Sequence, residues 1–217
     1  MPFLNRRIRS AHNRLAKALK EPETKERFRR LILNAKEQDR TRCWDHSRPT
    51  KEHPTFLKGP QGNITDLVRI QIKQFGKIRI LDLGAGGGLV FDELHSEFGA
   101  KIESTALTTG QIPVLETRQR TGAIQKIIIG EAAAWLPKEK YHLIISSGGG
   151  LYFTMFPEIA FAKTLGALER GGLPYIQPAH NIETGSFRKI ILGLNRKKYQ
   201  IVKFPGPKSD VAIIRKL

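Results

Sequence analysis

Residues 78–98 read IRILDLGAGGGLVFDELHSEF, and this stretch restricts the possible folds more than any other part of the chain. The residues before Asp82 are mostly aliphatic and branched, the pattern of a strand covered on both faces. Glycines then fill 84, 86, 87 and 88, and LVFDELHSEF returns to helical spacing. Strand, tight turn and helix follow in order. A backbone without Cβ atoms at the end of a buried strand can come very close to a ligand, so the stretch asks which ligand that is.

The flanking sequence extends the pattern. Asn63 caps a helix whose apolar positions Ile64, Leu67, Val68, Ile72 and Phe75 lead into the glycine-rich strand. Beyond it, strands are expected at Lys101–Leu107, Ala123–Ile129, Tyr141–Ser146 and Leu173–Gln177. Helices are expected near Gln111–Arg120, Pro157–Leu168 and Ser186–Leu194. Such alternation predicts a mostly parallel sheet with helices on both faces. The end differs, because YQIVKF and DVAIIRKL are separated only by PGPKS, a connection that forces an antiparallel pair.

Charge divides the chain differently. Lys and Arg number 16 against 7 Asp and Glu in residues 1–60, 12 against 12 in 61–187, and 9 against 1 in 188–217. A neutral middle with basic ends suggests that the termini face something anionic, such as nucleic acid or a phospholipid surface. The bland alternative is a merely basic protein. Residues 1–20 place Leu4, Ile8, Ala11, Leu15 and Leu19 at helical spacing among Arg and Lys, with no acid. That helix packs on the domain, lies on RNA, or is a mitochondrial transit peptide. A second helix begins near Pro22 and carries Phe28, Leu31, Ile32 and Ala35, and WDHSRPTKEHPTFLKGPQG then reads as loop. The expected division is a basic helical extension over 1–60 and an α/β domain over 61–217.

Other classes fall away. The apolar runs are far shorter than the roughly 20 residues that span a bilayer, and the single cysteine, Cys43, excludes an internal disulfide framework. The expected location is the cytoplasm, or the mitochondrion if residues 1–20 are a transit peptide. Cys43, His46 and His53 lack the paired spacing of a zinc site, so no metal is expected.

DLGAGGG resembles motif I of the class I S-adenosylmethionine-dependent methyltransferases, D/E-x-G-x-G-x-G, with Asp82, Gly84, Gly86 and Gly88 in the matching places. GEAAAWLP at 130–137 is similar to that family's acidic turn after strand three, and YHLIISSGGGLYF to its strand four. LGALERGGLPYI resembles its helix and Gly-Gly turn before strand five, and the closing hairpin its reversed seventh strand. The likeness runs from about Asn63 to Leu217. It implies a Rossmann-like, doubly wound, mostly parallel seven-stranded sheet with an antiparallel C-terminal strand. It also implies S-adenosylmethionine as cofactor, held by Asp82, Gly84, Ala85, Gly86, Gly88, Thr108, Glu131 and Ser146. In this reading Asp82 orders the ammonium group, the glycines admit the methionine part and ribose, and Glu131 lies near the adenine amino group. The competing dinucleotide fingerprint G-x-G-x-x-G would need a glycine where Leu89 stands.

Departures from the family narrow the chemistry. An acid usually ends strand two and binds the ribose hydroxyls, but here Ala106, Leu107 and Thr108 occupy that place and Glu103 comes too early, leaving Thr108 or Thr109 as weaker partners. The turn SSGGGLYF lacks the Asn/Asp-Pro-Pro-Tyr/Phe acceptor of the exocyclic-amine enzymes. It also lacks the acid that the Lys-Asp-Lys-Glu tetrad of ribose 2′-O methyltransferases wants there. Tyr152 and Phe153 wall a pocket, stack on a base or belong to the core. His180 and Glu183 follow strand five, where His180 is placed for a base or is a loop histidine with no chemical role. No catalytic residue is assigned. The expected activity is methyl transfer from S-adenosylmethionine to an anionic substrate, RNA foremost. The alternatives are a catalytically silent nucleic-acid-binding or assembly protein on the same fold, and a methyltransferase for a small or lipid-like molecule.

Overall fold

Strand β1 (Ile78–Leu83) forms where its sequence expects, and every residue but Arg79 is buried, as the aliphatic run requires. The computed structural model describes residues 64–108, 110, 113–147, 151, 154, 157–177, 191–203 and 211–217. The basic extension over 1–60, the possible transit peptide, Cys43, His46, His53, Thr109, Tyr152, Phe153, His180 and Glu183 lie outside the described residues, as does most of the helix expected at Ser186–Leu194.

Helix α1 (Ile64–Phe75) precedes β1, and α2 (Leu89–Phe98) follows it. A short 3-10 turn (Gly99–Lys101) leads to β2 (Ile102–Thr108), α3 (Pro113–Arg120) and β3 (Lys126–Ile129). Then come β4 (Tyr141–Ser147), α4 (Pro157–Ala167), β5 (Leu168–Gln177), β6 (Tyr199–Lys203) and β7 (Ala212–Lys216). The seven strands form one sheet in the order β3-β2-β1-β4-β5-β7-β6. The first five are parallel, and β7 is antiparallel to both β5 and β6, so β6 runs with the first five. The sheet is therefore the doubly wound, mostly parallel one expected, with β7 as the reversed strand.

Strand alternation sends side chains to two cores. Ile78, Ile80, Ile102, Leu143 and Ile145 meet α1, α2 and α3 through Val68, Phe91, Leu94 and Leu115. Leu81, Leu83, Leu107 and Ile144 meet α4 through Ile159, Ala160 and Phe161 on the other face.

Two expected boundaries shift. Strand β3 starts at Lys126, because Ala123 to Gln125 still belong to the turn from α3, where the Ile124 amide donates to the Arg118 carbonyl. The Gly-Gly pair does not precede strand five but lies within it, since β5 already begins at Leu168. Tyr141 pairs with Leu168 and Leu143 with Leu173, so residues 169–172 form a bulge. A Cβ on Gly172 would stand 3.0 Å from both the Glu169 and Tyr141 carbonyl oxygens, and Gly171 has φ +80. Glycine is what lets this strand bulge and rejoin its neighbour.

Candidate functional site

The carboxyl ends of the parallel strands form one edge, and the crevice on it opens beside β1. There β2 lies on one side and β4 on the other, while α2 and α4 leave toward opposite faces. Asp82, the glycine turn, Thr108, Glu131 and Ser146 all lie on this edge.

The glycine turn is fastened to β2. The amides of Gly84 and Ala85 both donate to the Leu107 carbonyl, at 2.9 and 3.1 Å, and the Gly88 amide donates to the Ala85 carbonyl at 2.7 Å. Gly84, Gly86 and Gly88 have φ of 78, 51 and 75, a region that glycine enters freely. Their surroundings differ. A Cβ on Gly86 would meet no heavy atom within 4 Å, so its outer side is open. A Cβ on Gly88 would lie 2.6 Å from Leu115 Cδ2 and 3.1 Å from Ile124 Cδ1. A Cβ on Gly88, also a candidate cofactor residue, would point into the core, because Gly88 begins α2 where that helix meets α3.

Arg118, which the sequence reading does not single out, holds the turn from behind. Its side chain is only 10% exposed; Nε donates to Asp92 Oδ2 at 2.7 Å, Nη2 lies 2.6 Å from the same oxygen, and Nη1 donates to the Gly87 carbonyl. One buried guanidinium thus ties α3, α2 and the glycine turn together. Nothing in ETRQR distinguishes it from its neighbours, and its partner Asp92 is 26 positions away.

Asp82 sits opposite Ala106 of β2 and Ile145 of β4, on the α1–α3 side of the sheet. It is 6% exposed, and burial pushes its carboxyl up to about 7. Among the described residues no cation or donor offsets that burial. Thr108 ends β2 two positions beyond Ala106, and it is buried. Glu103 stands opposite Arg79 and pairs with Lys77 at 2.6 Å, at the far edge of the sheet, so β2 brings no carboxylate to the crevice.

Glu131 follows β3 and is also buried. Its Oε2 accepts from the amides of Ala133 at 2.7 Å and Ala134 at 2.9 Å, capping the turn after it. Its Oε1 is buried with no partner. Lys163 of α4, a second residue the sequence did not mark, donates to the Ala133 carbonyl of that turn. Burial lowers its ammonium and the nearby Glu131 opposes that change. Ser146, also a candidate cofactor residue, is buried near the end of β4. Ile145 is the residue level with Asp82, so Ser146 points to the α4 face, and its Oγ accepts from the Leu151 amide at 3.4 Å. Its hydroxyl holds the loop after β4.

The basic C-terminal segment is divided between the two edges of the sheet. Of the cations at the two basic ends, Arg6, Arg7, Arg9, Arg14, Arg196, Lys197, Lys198 and Lys203, the last four are among the described residues. The turn Arg196–Lys198 precedes β6, and because β6 is parallel to β1 it lies at the amino edge. Lys203 ends β6 at the opposite edge, and the four N-terminal arginines are outside the described residues.

Solved structures of similar fold agree with this architecture. The chain resembles a TehB-like SAM-dependent methyltransferase from Corynebacterium glutamicum, with a TM-score of 0.52 and 17% identity over 72% of this chain and 90% of that one. It resembles an rRNA methylase from Streptococcus thermophilus at 0.52 and 16%, over 75% and 99%. The [4+2]-cyclase SpnF is similar at 0.51 and 17%, over 79% and 73%. No protein-family model matches the sequence, and no curated protein matches it. The chain therefore has the fold of the class I S-adenosylmethionine-dependent methyltransferases. Since one of these three structures is a cyclase, the fold alone leaves the reaction open.

Proposed function

We propose that the crevice binds S-adenosylmethionine and that the protein transfers its methyl group to an anionic substrate, RNA foremost. One observation carries the cofactor reading: two buried acids on one edge keep bonding capacity that the described residues do not use. Asp82 has no compensating cation among the described residues, and Glu131 keeps one oxygen unbonded. A ligand with an ammonium group at one end satisfies the first, and an adenine amino group at the other would satisfy the second once the Glu131 side chain turns its buried oxygen outward. A dinucleotide would bring its pyrophosphate toward a buried carboxylate instead. Gly84, Ala85 and Gly86 would face the methionine part and ribose, and the Thr108 hydroxyl would take the place of the usual ribose acid. The cofactor supplies a sulfonium-bound methyl group that needs no metal to leave, and the chain's part is to align the acceptor and exclude water.

The raised Asp82 carboxyl predicts a pH dependence. Below about 7 it is protonated in the protein alone, so binding an ammonium must expel that proton. Affinity for S-adenosylmethionine is expected to rise about tenfold per pH unit from 5.5 toward 7 and then level off, while Asp82→Asn gives a weaker, flat profile. Stability runs the other way. A carboxyl raised above its unfolded value of 3.8 contributes stability that is fully present below about pH 4 and is lost as pH rises through about 7. Calorimetric titrations at pH 5.5, 6.5 and 7.5 check the first trend, and a pH-independent affinity in the unmodified chain contradicts it.

A second reading draws on β2, which ends in Ala106, Leu107 and Thr108 without a carboxylate. In it the fold is a nucleic-acid-binding or assembly platform that does no chemistry. Incubation with methyl-labelled cofactor and the RNA, protein and lipid fractions of a cell lysate separates the two. Label in RNA is the expected result. Label only in lipid or small molecules overturns the RNA substrate, and saturable cofactor binding with no label anywhere favours the silent platform.

A further inference from the structure

The amino edge of the sheet, opposite the crevice, gathers positive charge from nearly every strand. Among the described residues of the strands and the turns that lead into them, three side-chain carboxylates lie there, each engaged by one cation: Glu103 by Lys77, Glu169 by Arg79 at 2.8 Å, and Glu139 by Lys126. Beyond these pairs stand Lys138 and Lys140 ahead of β4, Arg170 in β5, and the turn Arg196–Lys198 ahead of β6. All are exposed, and none has a carboxylate partner among the described residues.

Two further contacts leave charge uncancelled. Lys216, at the end of β7, donates to the Leu168 carbonyl at 2.6 Å, and Lys140 donates to the Gly166 carbonyl. A carbonyl fixes an ammonium without neutralising it. The Lys216 ammonium is lowered from its ordinary value by burial and next by Lys140, so the two cations sit within each other's field. The chain folds this way because β7 is reversed, which returns the C-terminus to the start of β6. The Leu217 amide donates to the Lys198 carbonyl at 2.9 Å and joins the two ends of the hairpin.

Strands about 4.8 Å apart make a seven-stranded edge about 29 Å long. A row of unpaired cations along such an edge matches a run of phosphates better than it matches one small anion. We infer that the amino edge of the sheet, centred on Lys138, Lys140, Arg170 and Arg196–Lys198, binds the phosphate backbone of RNA. The inference rests on the RNA part of the function proposed above and adds where that polymer is held. Strands of six or seven residues rise about 20 Å, so the edge and the crevice are too far apart for one small substrate, while a folded or bent polynucleotide spans both. The edge is thus an anchor, with the acceptor delivered around the side of the sheet.

The test uses the full chain and a fluorescent single-stranded 20-nucleotide RNA, followed by anisotropy across a salt series. Replacing Arg196, Lys197 and Lys198 together by Ser is expected to weaken binding about tenfold at 0.1 M salt. It should also lower the slope of log affinity against log salt by about 2, from about 0.7 per lost phosphate contact on a single strand. The pair Lys138→Ser and Lys140→Ser, on a neighbouring strand, should act in the same direction. Calorimetry with S-adenosylmethionine should give unchanged affinity in both variants. If the unmodified chain binds no cofactor yet the variants weaken RNA binding as stated, the edge is upheld and the methyltransferase reading fails on its own. Folded variants with unaltered RNA affinity and slope overturn the inference. A loss of binding only to phosphatidylserine vesicles also overturns it and assigns the edge to a membrane surface.

Discussion

Gly86→Val is expected to lose about a hundredfold or more in affinity for S-adenosylmethionine in a protein that still folds. Gly86 has φ +51 and no heavy atom within 4 Å of where a Cβ would stand, so an added side chain would enter the space assigned to the cofactor in the proposed function. Crowding a filled site by a branched group costs on the order of 2–3 kcal/mol, enough for that loss. The left-handed backbone costs a further 1–2 kcal/mol or so of stability, well inside the usual margin of about 5–15. Gly86→Ala should show the same trend more weakly. Circular dichroism confirms the fold and calorimetry reads the affinity; a well-folded Gly86→Val with unchanged affinity refutes the site.

Gly88→Ala is expected to do the reverse. Its Cβ would press on Leu115 and Ile124, both fully packed, at 2.6 and 3.1 Å, and its φ of +75 adds strain. The two effects together should remove roughly 2–4 kcal/mol of stability, about a 5–15 °C fall in melting temperature for a chain of this size. Cofactor affinity of the folded fraction should stay close to that of the parent. An unchanged melting temperature contradicts the core-facing assignment, and a large loss of affinity in a stable protein returns Gly88 to the ligand. Two glycines two positions apart, identical in the motif, thus give opposite phenotypes.

That contrast marks where the sequence was legible. The buried strand, the glycine turn, the alternation and the closing hairpin came from local patterns of hydrophobicity and turn chemistry, and each appears among the described residues. Asp82 and Glu131 were marked by the motifs that resemble the methyltransferase family, and the structure puts Asp82 within β1, one residue before its end, and Glu131 just after β3. What each motif residue faces depends on its neighbours, so Gly88 and Ser146 could not be placed before α3 and the β1–β4 register were known. Arg118 escaped notice because its partners come from α2 and the glycine turn. The basic turn at 196–198 was read by charge alone. Its edge is set by the direction of β6, which follows from β7 pairing with both β5 and β6. The antiparallel hairpin and its reversed last strand were legible; that this strand lies between β5 and β6 was not.

The central claim is that the crevice between Asp82 and Glu131 takes a ligand with an ammonium at one end and an adenine at the other. Calorimetric titration of the full chain at pH 7.5 with S-adenosylmethionine, set beside NAD, tests it most directly. The account predicts saturable one-to-one binding of S-adenosylmethionine and none of NAD. No heat with millimolar S-adenosylmethionine, or equal binding of the two, would contradict it.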